Sequence, residues 1–213
     1  MALILDKQVI DHTLDVHLQV TGSAKRPRLL DGHSHEAGET PPLRVETTRF
    51  GTLEVEEDLV LTLAEGMIGF ESCTRFIVIS TEGNGAFRWL QSLDRAELAF
   101  PILDPTTFRP DYAPTISDTD ARLLELTAAA PFLLFCVVTV PPHNPREMTA
   151  NLLGPLVING VTRCGKQVIV QDEGFTTRHK IVDELQRMTA RPAAPVAVTT
   201  VKTDQPNCSS RAA

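Results

Sequence analysis

Apolar and polar residues alternate with a period of two through the middle of this chain. Thr47 to Phe50 reads as extended and is broken by Gly51. Leu53 and Val55 then alternate with Glu54 and Glu56, the signature of a strand buried on one face. Leu59 to Leu63 predicts a second strand and Arg75 to Ser80 a third. Between them, Glu65-Gly66-Met67-Ile68-Gly69-Phe70 predicts a turn, its glycines supplying backbone freedom. Glu82-Gly83-Asn84-Gly85 predicts a hairpin turn into a strand over Ala86 to Ser92. There, alternation sets Phe87, Trp89 and Gln91 on one face and Arg88, Leu90 and Ser92 on the other. Glu97 to Leu103 is the expected antiparallel neighbour, ended by Asp104-Pro105.

The pattern then changes. Ser117-Asp118-Thr119-Asp120 carries the acids favoured at a helix N-terminus, predicting a helix over Ala121 to Ala130 that buries Leu123, Leu124 and Leu126. Phe132 to Val140 is almost wholly apolar, as expected for a central strand buried on both faces. Leu156 to Asn159, Val161 to Arg163 and Gln167 to Gln171 predict three further short strands. Ile181, Leu185 and Met188 fall at i, i+4 and i+7, the spacing of a short amphipathic helix. In total, about eight to ten short strands with Gly- and Pro-rich turns predict a mainly β fold, a small antiparallel β-barrel-like domain or sandwich.

The ends read differently. Residues 1–44 show a modest alternation at Val9, Ile10, Leu14, Val16, Leu18 and Val20. A stretch rich in Gly, Ser, Pro and charge follows and buries too little apolar surface to offset its ordering entropy. The expected organisation is an irregular extension over 1–44, a β-barrel domain over 45–182, and a short helix followed by a disordered tail over 183–213.

Composition narrows the function. The 213 residues carry a net charge of −7, which disfavours a protein that neutralises many phosphates and favours a basic partner. No apolar run approaches the ~20 residues of a membrane span, and Met1-Ala2-Leu3-Ile4-Leu5-Asp6 lacks the basic start of a signal peptide. A cytoplasmic location is therefore expected. Cys73, Cys136, Cys164 and Cys208 are widely spaced, the pattern of free thiols in a reducing compartment.

Candidate chemistry is sparse. Gly160-Val161-Thr162-Arg163-Cys164-Gly165-Lys166-Gln167 falls one residue short of a phosphate-binding loop. Gln167 stands where the magnesium-binding hydroxyl belongs, and Val168-Ile169-Val170 favours a strand over the required helix. A β-hairpin is the expected structure, and a small β-barrel enzyme or nucleotide binder using Gly160–Gln167 is the alternative reading. His33, His35, His143, Cys164 and His179 lack zinc-type spacing, so neither metal nor cofactor is expected. There is no nucleophile elbow and no catalytic signature; Asp104, Asp111 and His179 would meet only through the fold, and a lone His near a strand end is more often a hydrogen-bonded surface residue. No catalytic residue is assigned and the chain is not expected to be an enzyme. Glu54, Glu56, Glu57 and Asp58, with Glu65 and Glu71 nearby, read either as a charged strand edge that blocks edge-to-edge pairing or as a patch that steers a basic partner. Phe87, Trp89 and Phe100, spaced as aromatics on strands, read as core.

Several blocks, in order, resemble one family. These are Phe50-Gly51, Glu65 to Glu71, Phe87 to Ser92, Leu98-Ala99-Phe100, Asp104-Pro105, Asp111-Tyr112, Met148 to Asn159, Gly165 to Ile169 and Arg178-His179. Together they resemble the bacterial flagellar assembly factor FliW over about residues 45–181. The chain departs from the family pattern at Arg95, where Pro is frequent, and at Phe175, where Tyr is common. The resemblance implies a small β-barrel protein that is not an enzyme. It implies two partners, the C-terminal region of flagellin and the translational regulator CsrA, which compete for it. Export of flagellin would free the factor to sequester CsrA and relieve repression of flagellin mRNA; a generic cytoplasmic chaperone is the weaker alternative. The expected partner-binding residues are Glu54, Glu56, Glu57, Asp58, Glu65 and Glu71, with Met148, Thr149 and Asn151 in the later block. The later block is the expected place for a binding edge, rather than the lone tryptophan.

Overall fold

A computed structural model describes residues 3–4, 41–81, 85–127 and 131–190. The alternation at Val9 to Val20, most of the turn at Glu82 to Gly85 and the tail from 191 onward lie outside the described residues.

Seven strands close into a barrel. They are β4 (Leu61–Leu63), β5 (Arg75–Ser80), β6 (Phe87–Ser92), β7 (Ala99–Leu103), β9 (Phe132–Thr139), β11 (Leu156–Asn159) and β12 (Cys164–Gln167). Neighbours run in the order β11-β12-β4-β5-β6-β7-β9, and β9 pairs back onto β11 to close the ring. Every pairing is antiparallel except β12 with β4, where Cys164 opposes Thr62 and Gly165 opposes Leu63. The mainly antiparallel barrel expected from the sequence is the fold observed. Two short strands, β10 (Thr149–Ala150) and β13 (His179–Lys180), extend the sheet beyond the far end of β9. A separate hairpin joins β2 (Leu43–Thr47) to β3 (Gly51–Val55). Leu3–Ile4, in the segment expected to be irregular, forms β1 and pairs antiparallel with β8 (Thr115–Ile116).

Three apolar clusters hold the architecture. The barrel interior is filled by one face of six of the seven strands: Leu61, Leu63, Phe76, Val78, Leu90, Ile102, Leu133, Phe135, Leu156 and Ile158. The opposite face of β9 (Phe132, Leu134, Cys136 and Val138) packs outward against Phe108, Tyr112, Ile116 and Leu124 from the 104–127 segment. This explains why β9 is apolar on both faces. On the other flank the β2–β3 hairpin covers the outer face of β5, burying Val45, Leu53 and Val55 against Ile77 and Ile79.

The helical regions differ from expectation. The first helix, α1, spans Asp118–Leu123, whereas the expected helix runs from Ala121 to Ala130, of which residues 128–130 lie outside the described residues. The Ser117 hydroxyl accepts from the Asp120 amide at 3.1 Å, so the cap starts the helix early. Glu125, at φ 51°, ends it. Leu124 is buried and Leu126 half-buried, but Leu123 is 48% exposed. The second helix, α2 (Ile181–Ala190), forms as its spacing predicts, yet only Ile181 is buried, while Leu185 and Met188 are exposed.

Four strand expectations also change, the first at Thr48–Phe50, which is the turn of the β2–β3 hairpin rather than extended chain. Glu57–Leu59 is a 3-10 turn, so the strand there begins at Leu61. Val161 to Arg163 is a turn, held because the Asn159 side-chain oxygen accepts the Val161 and Thr162 amides at 2.8 and 3.1 Å. The last strand of the barrel is Cys164–Gln167 rather than Gln167 to Gln171. Beyond it the Val168 and Val170 amides bond to the Pro155 and Leu153 carbonyls instead of a ladder.

Candidate functional site

A cleft of about 530 Å³ opens over β6 and β7 beside the tip of the β2–β3 hairpin. It is lined by Phe87 and Trp89 of β6, Ala99 and Pro101 of β7, Val140, Met148 and Arg49. Its origin is local. Trp89 faces Pro101 across the β6–β7 ladder. On the other side of β7, the ladder to β9 covers Ile102 and Leu103 and stops there. Pro101 has no amide hydrogen to extend it. On its other edge the end of β9 pairs with β10, with Thr139 opposite Thr149 and Val138 opposite Ala150. The sheet parts at this point, and Val140, 43% exposed, and Met148 form the far wall.

The hairpin tip supplies the near wall. The Thr47 hydroxyl donates to the Gly51 carbonyl at 2.8 Å and accepts from the Phe50 amide at 3.0 Å. Gly51, at φ 71°, takes the left-handed conformation that this tight turn requires. The Thr48 amide donates to the Ala96 carbonyl at 3.0 Å, which ties the tip to the β6–β7 loop. Gln91 braces the same loop from below, its amide nitrogen donating to the Ser92 and Leu98 carbonyls at 2.9 and 3.0 Å. The Arg49 guanidinium thereby lies 4.0 Å from the Trp89 ring centroid, with Phe50 edge-on to that ring at 6.0 Å. Among the described residues, Arg49 forms no ion pair.

Trp89 and Phe87 were expected in the core, but both are half-buried on the outer face of the barrel, and Leu90 takes the interior position. The later block and the tryptophan, set apart in the sequence reading, meet in one cleft through Met148. The other two residues of that block do different work. Thr149 pairs with both Thr139 and Lys180 in the sheet. The Asn151 side-chain oxygen accepts the Gly154 amide at 2.9 Å and shapes the turn into β11.

The acidic residues do not gather into one patch. Glu54 lies on the exposed face of the hairpin, across from Arg44. Glu56, Glu57 and Asp58 form an exposed run on the 3-10 turn, where Glu57 meets Arg75 at 3.2 Å. Glu65 belongs to another group: the Lys166 ammonium sits 2.9 Å from Glu65 and 3.0 Å from Asp120. The Glu65 hydrogen bond is the leading influence holding the Lys166 pKa above its ordinary value. For Asp120 burial pushes upward, but the Ser117 hydroxyl and Lys166 outweigh it and keep the carboxyl low. Glu71 accepts the Gly69 amide at 2.8 Å, which lowers its pKa and closes its own turn.

This geometry answers the phosphate-loop alternative. Gly160 to Arg163 turns β11 into β12, Ile158 opposes Gly165, and no helix follows. Lys166 is held by two carboxylates, and Gln167 accepts the Ile68 amide and donates to the Gly154 carbonyl. Gly165 has Ile158 and Leu63 within 3.3 Å of where a Cβ would stand, so this glycine serves packing.

Of Asp104, Asp111 and His179, two converge. Arg109 lies 3.5 Å from Asp111, from Glu184 and from the His179 ring, and His179 Nε2 is 2.7 Å from Glu184. Arg109 also covers Phe175, which packs on Tyr112 at 4.7 Å. Asp104 stands apart and caps the following turn through the Thr106 amide. The cluster fastens α2 to the barrel; Arg109 and Glu184, which complete it, were not singled out by the sequence. Burial raises the Tyr112 pKa, as it does that of the Cys136 thiol. Among the described residues no group of three or more His, Cys, Asp and Glu side chains is arranged to hold a metal, and no helix is long and apolar enough to cross a membrane.

The FliW protein family model matches residues 44–181. The flagellar assembly factor FliW of Leptospira biflexa is 36% identical over 146 residues, covering 68% of this chain and 95% of that protein. Its counterpart in Bdellovibrio bacteriovorus is 37% identical over 153 residues, covering 71% and 87%. A crystal structure of the flagellar assembly factor FliW superposes with a TM-score of 0.59 at 28% identity, covering 65% of this chain and 96% of that one.

Proposed function

The chain belongs to the FliW family of flagellar assembly factors, and from that premise we propose that it acts in the cytoplasm by binding two proteins in turn. One partner is the C-terminal region of flagellin and the other is the translational regulator CsrA. While flagellin is retained it occupies the factor. When flagellin is exported, the freed factor binds CsrA, and flagellin mRNA is translated. The factor thereby couples synthesis to export, without acting on nucleic acid or membrane itself.

The match over 44–181, which spans the whole barrel, carries this reading. Charge supports it: a chain of net charge −7 suits a regulator whose own work demands a basic, RNA-binding surface. The Glu56–Asp58 run is exposed and therefore available for steering such a partner. Surface charge of this kind acts mainly on the rate of encounter.

Co-purification of the full chain with CsrA and with the C-terminal segment of flagellin tests the proposal. Binding to each is expected, and binding to neither overturns it. Replacing Glu56 and Glu57 together by Lys is expected to slow association with CsrA about tenfold at low salt and to flatten its salt dependence. Unchanged kinetics would remove this run from the binding surface.

A further inference from the structure

The described surface bears several exposed apolar residues, among them Leu185 and Met188 on α2, and Ile68 and Ile169 at one end of the barrel. The Trp89 cleft differs from these in combining an apolar lining with a charge. Six of its seven lining residues are apolar and the seventh is a cation. In a chain of net charge −7, the cleft displays a guanidinium that no described carboxylate neutralises. Arg49 is also held in position, because the hairpin tip is tied to Ala96 and its guanidinium rests on the Trp89 ring. Stacking engages the face of the guanidinium and leaves edge N–H groups free to grip a carboxylate. A volume of about 530 Å³ accommodates several side chains and lies within the usual range of ligand sites.

We propose that this cleft docks an apolar polypeptide segment whose adjacent carboxylate pairs with Arg49. The inference rests on the reading above, which makes the C-terminal region of flagellin the occupant. Apolar side chains fill the space over Phe87, Trp89, Pro101 and Met148, and the carboxylate fixes register at the Arg49 end. Aromatic and Arg anchors of this kind dominate binding energy at protein interfaces.

Trp89 is the only tryptophan in the chain, so its fluorescence reports on the cleft directly. A tryptophan-free peptide covering the flagellin C-terminal segment is titrated into the full chain. A saturable blue shift is expected. Arg49→Glu and Met148→Glu are each expected to weaken binding at least ~tenfold, and Arg49→Lys to retain part of it. Replacing the peptide's acidic side chains with amides should match the loss in Arg49→Ala and add little to it. Thermal melts confirm that the variants remain folded; Arg49, exposed on a turn, gives the cleaner of the two charge changes. If the parent chain binds the peptide and both glutamate variants bind it equally well, the cleft assignment is wrong while the flagellin reading stands. If the parent binds no flagellin segment by any measure, that reading fails and takes this occupant with it. Concentration-dependent dimerisation abolished by Arg49→Glu would overturn the proposal in favour of a second copy of this chain.

Discussion

Leu90 and Trp89 are neighbours on one strand and face opposite sides of the barrel wall. Leu90 is fully buried among Phe76, Val78 and Ile102, packed by other strands all round. Trp89 is half-buried, covered on one side by the β2–β3 hairpin and open on the other to a cleft. The inner face of a closed barrel has no freedom to remain uncovered. The outer face is covered only where a further segment reaches. Here the hairpin covers β5 and the 104–127 segment covers β9, and the strip between them over β6 and β7 is left. Stability is thus concentrated inside the ring, and the surface available for recognition lies where two outer layers fail to meet.

Substitutions on the two sides of that wall sharpen the contrast. Leu90→Ala removes a fully enclosed side chain and is expected to cost about 2–5 kcal/mol, read as a lower denaturant midpoint. A loss below about 1 kcal/mol would contradict the packed interior. Trp89→Ala strips a larger side chain from a half-open site. Its expected cost in stability is smaller, about 1–2 kcal/mol, because one side of the ring borders the open cleft and leaves no enclosed cavity when it is removed. A Trp89→Ala loss that equals or exceeds that of Leu90→Ala would erase the distinction between the two faces.

A third test asks how far charge holds α1 to the barrel. Asp120 has a lowered folded pKa, so its contribution is fully present above the unfolded value, about 3.9, and is lost as pH falls through the lower folded value. Melting temperature measured against pH should therefore drop in acid below about pH 4, and Asp120→Asn should flatten part of that drop. An unchanged profile would show that the contact with Lys166 adds nothing. The smallest effect is expected at Leu185→Ser, within about 0.5 kcal/mol, since this residue of α2 is 42% exposed. A larger loss would mean that the outer face of α2 is covered in the full chain.

Much of this architecture is legible in the residues. Arg75–Ser80 is a strand at its predicted bounds, and Phe87–Ser92, Ala99–Leu103 and Phe132–Thr139 lie within a few residues of theirs. Their apolar periodicity is strong because each has at least one enclosed face. The short elements were less legible. Thr149–Ala150 and His179–Lys180 are two-residue strands, too brief to show any period. α1 was displaced because its cap at Ser117 and the left-handed Glu125 outweighed the helix-favouring run that follows. The candidate site was legible in pieces. Met148 stood in a recognisable block and Trp89 stood alone, but their 59-residue separation along the chain concealed a shared wall. Neighbouring acids in the sequence misled in the opposite way, since Glu57 turned to Arg75 and Glu65 to Lys166.

By itself, the sequence determined the β-barrel class, the family and the long strand that is apolar on both faces, because periodicity, turn residues and ordered blocks are local properties. Only the tertiary structure decided which face of β6 is inside. Alternation assigns residues to two faces but does not say which face the barrel encloses. Only the fold, likewise, turned Pro101 from an ordinary strand residue into the reason for an opening. A missing amide hydrogen matters there because the neighbouring strand would otherwise have bonded to it.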